Sequence, residues 1–230
     1  MFRAQLPRLY ELRDLTADPA SPDAYFPQNF ETLLQTSLPM AAYTHIEKKL
    51  QYLDVDAWKP LRDEASQYLT VKDPKRGWQQ LFENLEGPAD AYKHLRDLGC
   101  SDVCFIPRSQ QQGQRTPDLE GLLDSRRVLC EVKTINISEA EVSARAECTV
   151  RDGRYQLDDA FFRKLQSDIT KANGQLHAYD AMGKARHIVY VSIYFDDWGG
   201  RYSEEYRRQI DQYLKGNPIH GSEVAFSARS

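Results

Sequence analysis

The sequence predicts an α/β protein, a mixed β-sheet flanked by helices and preceded by a mostly helical N-terminal extension. Three observations point there. Two short apolar runs, "SDVCFIP" at 101–107 and "HIVYVSIYF" at 187–195, have the length and continuity of buried strands. Between them, "PDLEGLL" and "RVLCEVKTI" alternate as a hairpin does. The stretch "LDDAFFRKLQSDITKANGQLHAYDAM" at 157–182 repeats its apolar residues at spacings of three and four, the period of an amphipathic helix.

Residues 1–75 read as the helical extension, broken by prolines at 19, 22, 27 and 39, with helix candidates at 41–53 and 56–69. They carry no chemical motif, so the extension reads as a packing or substrate-binding appendage rather than a separate catalytic domain. The core spans 76–230. "RGWQQLFENLE" (76–86) is helical, Gly87–Pro88 interrupts or restarts the helix, and 89–99 continues it to a glycine stop. After the strand at 101–107 comes a polar loop, 108–116, and then the hairpin, joined around Asp124–Arg126. Ser138 with Glu141 forms a capping-box pattern that opens a short helix. Asp152–Gly153 is a turn signal between strand-like flanks. Asp158 can cap the long helix, whose stripe is Phe161, Leu165, Ile169, Ala172, Leu176 and Tyr179. A last helix covers 203–216, with acids in its first turn and glycine at its end.

Composition narrows the function classes. At 41% hydrophobic and 28% charged residues the chain is an ordinary soluble globular protein. No run approaches the roughly 18 apolar residues of a membrane span, and the start is too polar and acidic for a signal peptide. The expectation is a cytoplasmic protein with no membrane partner. A formal charge of −4 argues against a general electrostatic grip on nucleic acid but allows a local basic groove. Basic stretches occur at 72–77, 126–127, 151–154 and 207–208. Cys100, Cys104, Cys130 and Cys148 show no paired spacing. His94 lies near the first two, but Cys104 and Cys130 fall in apolar runs, where cysteine packs as a small hydrophobe.

The polar face of the hairpin is its unusual feature. Val128, Cys130 and Val132 point one way from the strand, and Leu129, Glu131 and Lys133 the other. With Leu123 opposite Val128, Asp118 faces Lys133 and Glu120 faces Glu131. A shift of one residue would bury the acids, at a cost no strand tolerates. Clustered carboxylates repel one another, and a lysine or a divalent cation relieves them. Oxygen ligands suit Mg2+ or Mn2+. Such an ion polarises a phosphate and activates water, with Lys133 placed to orient that water or balance transition-state charge. The plain alternative is a surface Glu–Lys pair.

Pro117–Asp118 followed by Glu131-x-Lys133 on the next strand resembles the PD-(D/E)xK nuclease superfamily, and the element order over about 80–196 is similar. The resemblance implies a restriction-endonuclease-like fold. It also implies Asp118, Glu131 and the Val132 carbonyl as metal ligands, and Lys133 as the catalytic lysine. Gln175-x-x-x-Tyr179 is similar to the motif that follows in the RecB-type branch, and positions four apart share one helical face. Against that role, Gln175 can be solvated and Tyr179 part of the core stripe. Many members carry a further acid on the first helix, here Glu86, with Glu83 one turn earlier. Glu120 is another candidate helper. The cysteines do not fit the iron–sulfur cluster of some relatives.

The expected function is therefore a magnesium- or manganese-dependent nuclease acting on nucleic acid, in the first place DNA, with room for a homodimer. Asp118, Glu131, Lys133, Gln175 and Tyr179 form its site. Arg108, Arg151, Arg154, Lys164 and Lys171 are candidates for contacts to the phosphate backbone, which position a substrate without reading its sequence. The alternative is a catalytically inactive nucleic-acid-binding or complex-forming module on the same fold. A carboxylate-pair glycosidase ranks lower, since its chemistry does not require the lysine.

Overall fold

The structure, a computed structural model, describes residues 1–16, 24–26, 29–74, 77–108, 115–136, 156–195 and 202–229. The Ser138–Glu141 capping pattern, the Asp152–Gly153 turn, Arg151, Arg154 and Cys148 lie outside these residues. The chain divides into two compact units, Met1–Lys93 and His94–Ser230.

The first unit is helical among its described residues. It holds α1 (Phe2–Gln5), α2 (Pro7–Leu15), α3 (Phe30–Leu33), α4 (Ser37–Leu50), α5 (Val55–Ser66) and most of α6 (Gln79–Asp97). Leu9, Leu12, Phe30, Leu50, Trp58, Leu61, Leu81 and Leu85 are buried. The backbone amides of Arg8 and Leu9, which the first turn of α2 leaves without helical acceptors, donate to the buried Glu47 carboxylate at 3.1 and 3.0 Å. The interruption expected at Gly87–Pro88 does not occur, because α6 runs through it. A proline inside a helix costs about 3 kcal/mol. Buried Leu85, Ala89, Ala91, Tyr92 and Leu95 on either side offset that, at up to about 1.5–3 kcal/mol for each large apolar side chain.

The second unit contains one five-stranded sheet in the order β1-β2-β3-β4-β5. The strands are β1 (Ser101–Phe105), β2 (Leu119–Leu123), β3 (Arg126–Ile135), β4 (Arg186–Tyr194) and β5 (Glu223–Arg229). The first three are antiparallel in sequence. β3 to β4 and β4 to β5 are parallel, joined through α7 (Asp159–Tyr179) and α8 (Ser203–Gly216). Parallel neighbours need such crossovers. β5 was not anticipated, although Val224, Phe226 and Ala228 alternate there. The Asp158 carboxylate accepts from the Phe161 amide at 2.8 Å and starts α7 as its cap. Leu165, Ile169, Ala172 and Leu176 then bury against Leu129, Ile135, Val189, Val191 and Ile193 of the sheet. Cys130 is buried, but Cys104 is exposed, because it alternates out from the edge strand β1.

The hairpin register differs from the expectation by two residues. Leu123 pairs with Arg126 and Leu119 with Cys130. The cause is a two-residue turn in which Asp124 and Ser125 take φ values of 50° and 64°, the left-handed pair of a tight hairpin turn. A slip of two keeps every side chain on its own face. Continuing the ladder by one residue sets Asp118 across from Glu131 rather than Lys133, and Glu120 pairs with Leu129.

Leu165 tests the packing of α7 on the sheet. Leu165→Ala should cost about 2–5 kcal/mol of stability, read as a lower urea midpoint. A wild-type midpoint would show that this helix does not carry the core.

Candidate active site

β3 delivers two candidate site side chains to the α7 face of the sheet, because Glu131 and Lys133 share the parity of Leu129 and Ile135, which pack under α7. Asp118 enters one residue before β2. Its backbone N–H donates to the Cys130 carbonyl at 3.1 Å, and its carbonyl accepts from Ile106 at 3.0 Å. These two bonds hold the residue between β1 and β3. Its side chain turns back onto β3, where Asp118 Oδ2 accepts the Val132 amide at 2.7 Å. In a strand the N–H and C=O of one residue face the same neighbour, so the Val132 carbonyl is directed to the Asp118 side as well.

Glu131 is 5% exposed in its side chain. Lys133 Nζ donates to Glu131 Oε1 at 2.6 Å and to Gln175 Oε1 of α7 at 2.9 Å. Glu131 Oε2 is buried without a hydrogen-bond partner among the described residues. The structure thus brings Asp118, Glu131, Lys133 and Gln175 to one place. Burial lifts the Asp118 carboxyl to about 7, and the neighbouring Glu131 charge adds to the rise. The Val132 amide, Lys133 and Arg108 work against it. Burial also raises Glu131, opposed first by Lys133.

Tyr179 goes elsewhere on the same face. Its ring packs against the core, and its hydroxyl lies 3.5 Å from Arg127 Nη2, whose guanidinium stands 5.5 Å from the ring centroid. Arg127 is itself held by Glu120, with Nε at 2.8 Å from Oε2. Glu120 therefore serves Arg127. Gln175 meets Lys133 beside Glu131, and the ring of Tyr179 extends the apolar stripe.

Glu86 belongs to the first unit, where it is buried and accepts Lys49 Nζ at 2.8 Å, with Glu83 on the same helix. Lys164 and Lys171 are exposed on α7 and lie 2.5 and 3.9 Å from the intervening Asp168. Arg115 was not singled out in the sequence. Its charge acts on Glu131, as that of Arg108 does on Asp118. Only its place two residues before Pro117 hinted at this. Gly174 is exposed, and a Cβ there would meet nothing within 4 Å. Among the described residues no atom makes use of the missing side chain.

The donor set suits a hard divalent cation. Among the described residues no three His, Cys, Asp or Glu side chains gather so as to hold a metal by themselves. Magnesium, however, takes one or two carboxylates and completes its shell with water. Glu131 Oε2 is buried without a hydrogen-bond partner among the described residues, and burial raises both acids, so a cation there would relieve them. No helix among the described residues is long and apolar enough to cross a membrane. Comparison with protein-family models, curated proteins and solved structures gives no match for this chain.

Two measurements follow. In chelator, folded Asp118 keeps its proton to about pH 7, whereas the unfolded chain releases it near the ordinary aspartate value. Between those limits the folded state binds more protons, so this contribution to stability is present at low pH and lost as pH rises through 7. The thermal midpoint should fall from pH 5.5 to 8, and Asp118→Asn should flatten the slope; an equal slope in both would refute the shift. Separately, Gly174→Ala should gain about 1 kcal/mol in urea unfolding, as an unhindered helix position should. A loss there would show that the glycine is needed by the fold.

Proposed function

We propose that the chain is a metal-dependent nuclease that hydrolyses phosphodiester bonds, in the first place in DNA, on a site of PD-(D/E)xK type. One observation carries the reading. An acid just before β2, an acid on β3, a lysine two residues on, and a glutamine from the crossover helix converge although they are 57 positions apart at the extremes, Asp118 and Gln175.

Asp118, Glu131 and the Val132 carbonyl would hold the cation. When bound, Mg2+ or Mn2+ supplies a Lewis acid for the phosphate oxygen and lowers the pKa of a bound water. The chain's own groups do the remaining work. Asp118 is fixed by the Val132 amide, so its second oxygen has one direction in which to act. Lys133, 23% exposed, can turn its ammonium to the attacking water or to charge building on the phosphoryl oxygens. Gln175 Oε1 holds that ammonium in reach. Arg108 and Arg115 place positive charge beside the acids, where a phosphate would lie.

A second reading, an inactive nucleic-acid-binding or complex-forming module, draws on the absence of a three-ligand side-chain group among the described residues. Cleavage assays on plasmid, single-stranded DNA and RNA separate the two, each run with Mg2+, Mn2+ and chelator. Cleavage should require the ion and fall about 10²-fold or more in Lys133→Ala and Asp118→Asn. Metal-independent cleavage, or cleavage indifferent to both substitutions, would remove the assigned site. Binding of nucleic acid without turnover would leave the second reading.

A further inference from the structure

Glu131 presents two oxygens in different states. Oε1 takes the Lys133 ammonium at 2.6 Å, while Oε2 is buried and has no hydrogen-bond partner among the described residues. Lys133 in turn has two acceptors, Glu131 and the neutral amide oxygen of Gln175 at 2.9 Å. A carboxylate this enclosed, 5% exposed, cannot stay ionised alone, because burying an unpaired charge costs several kcal/mol. Lys133 meets that requirement while no other cation is present. A divalent ion at the same carboxylate would meet it more strongly and would repel the ammonium beside it.

We infer that Lys133 is the resident counter-ion of Glu131 and competes with the divalent cation for it, and that Gln175 is the positioning residue that receives Lys133 when the cation binds. The inference rests on the metal site of the nuclease reading and adds an order of events to it. In the metal-free protein the lysine is held on the acid and withheld from substrate. With the cation bound, the ammonium leaves Glu131 but stays tethered through Gln175 Oε1, within reach of water. No bond other than these contacts changes.

Competition reverses the usual expectation for a substitution in a site. Lys133→Met should bind Mn2+ about tenfold more tightly than wild type, in calorimetry or by the loss of free-ion Mn2+ electron-spin resonance, although it cannot cleave. Its metal-free thermal midpoint should fall, since Glu131 loses its counter-ion, and Mn2+ should raise that midpoint further than it raises wild type. Gln175→Ala should bind Mn2+ about threefold or more weakly, since Lys133 then has only Glu131 to return to. Arg115→Gln provides the control for mere removal of a nearby positive charge, because Arg115 acts on Glu131 without a bond to it. It should change affinity by no more than about twofold.

Equal gains in Lys133→Met and Arg115→Gln would overturn the competition and leave only a shared field. Unchanged or weaker Mn2+ binding in Lys133→Met would overturn it also, while binding lost in Asp118→Asn would keep the metal site itself. Wild type, Lys133→Met and Gln175→Ala all failing to bind Mn2+ at millimolar concentration would remove both the inference and the metal-dependent reading beneath it. Should Lys133→Met fold only with Mn2+ present, the counter-ion role is upheld. Should it fold with neither, the Gln175→Ala affinity decides, and wild-type affinity there sinks the idea.

Discussion

The parity of the β2–β3 hairpin is the constraint on which the site depends. Side chains on a strand repeat every two residues, so one step of slippage would carry Glu131 and Lys133 to the opposite face and send Val128, Cys130 and Val132 under α7. Two features prevent it. The turn at Asp124 and Ser125 has both residues at positive φ, which closes the hairpin with two residues and sets Leu123 on Arg126. The buried pairs Leu119–Cys130 and Gly121–Val128 then exclude a shift, because Gly121 leaves only 3.1 Å between a would-be Cβ and Val103 Cγ2. A charged side chain forced into that space would clash as well as lose its solvation.

Given the right face, the acids are still expensive. Glu131 lies in the middle of a strand whose neighbours Leu129 and Cys130 are fully buried, and on β4 it faces Val189. The fold offsets this with one backbone amide for Asp118 and, for Glu131, with the Lys133 ammonium first, then the Gln175 amide and the Arg115 charge, while Glu131 Oε2 is buried without a hydrogen-bond partner by geometry among the described residues. A purely structural ion pair gains from having every oxygen satisfied, and hydrophobic residues in its place are often no less stable. An arrangement that leaves one oxygen bare and both acids raised carries a cost that a bound cation would offset, which supports the nuclease reading.

Much of this was legible in the sequence, and the reasons are local. The helix of 159–179 shows a period, a cap and an apolar stripe, all short-range properties, and it forms within a few residues of the expectation. The strands at 101–105 and 186–194 were visible as apolar runs between polar segments. The face carrying Asp118, Glu131 and Lys133 followed from alternation alone. What was misjudged depended on quantities that a sequence does not display. The register was off by two because a tight turn at Asp-Ser lacks the usual glycine. The helix continues through Pro88 because buried neighbours outweigh a local penalty. Strand β5 owes its existence to β4, since seven residues with weak alternation become a strand only beside an edge that needs them. The charge that Arg115 lends to Glu131 required the site's electric field.

The same field bears on how, on the nuclease reading, an acidic chain would hold a polyanion. Several cations on the α7 face are already paired: Arg127 with Glu120, and Lys164 with Asp168. Each phosphate contact there must be made against an internal carboxylate, so the chain's surface supplies little net attraction, in keeping with its charge of −4. The charges of Arg108 and Arg115 also bear on Asp118 and Glu131. On the nuclease reading, a cation bound by those acids would offset their charge and leave the positive charge of the two arginines more strongly felt there. On the nuclease reading, attraction for phosphate is therefore not a standing property of the surface. It would be raised locally by the ion, beside the acids that would hold it.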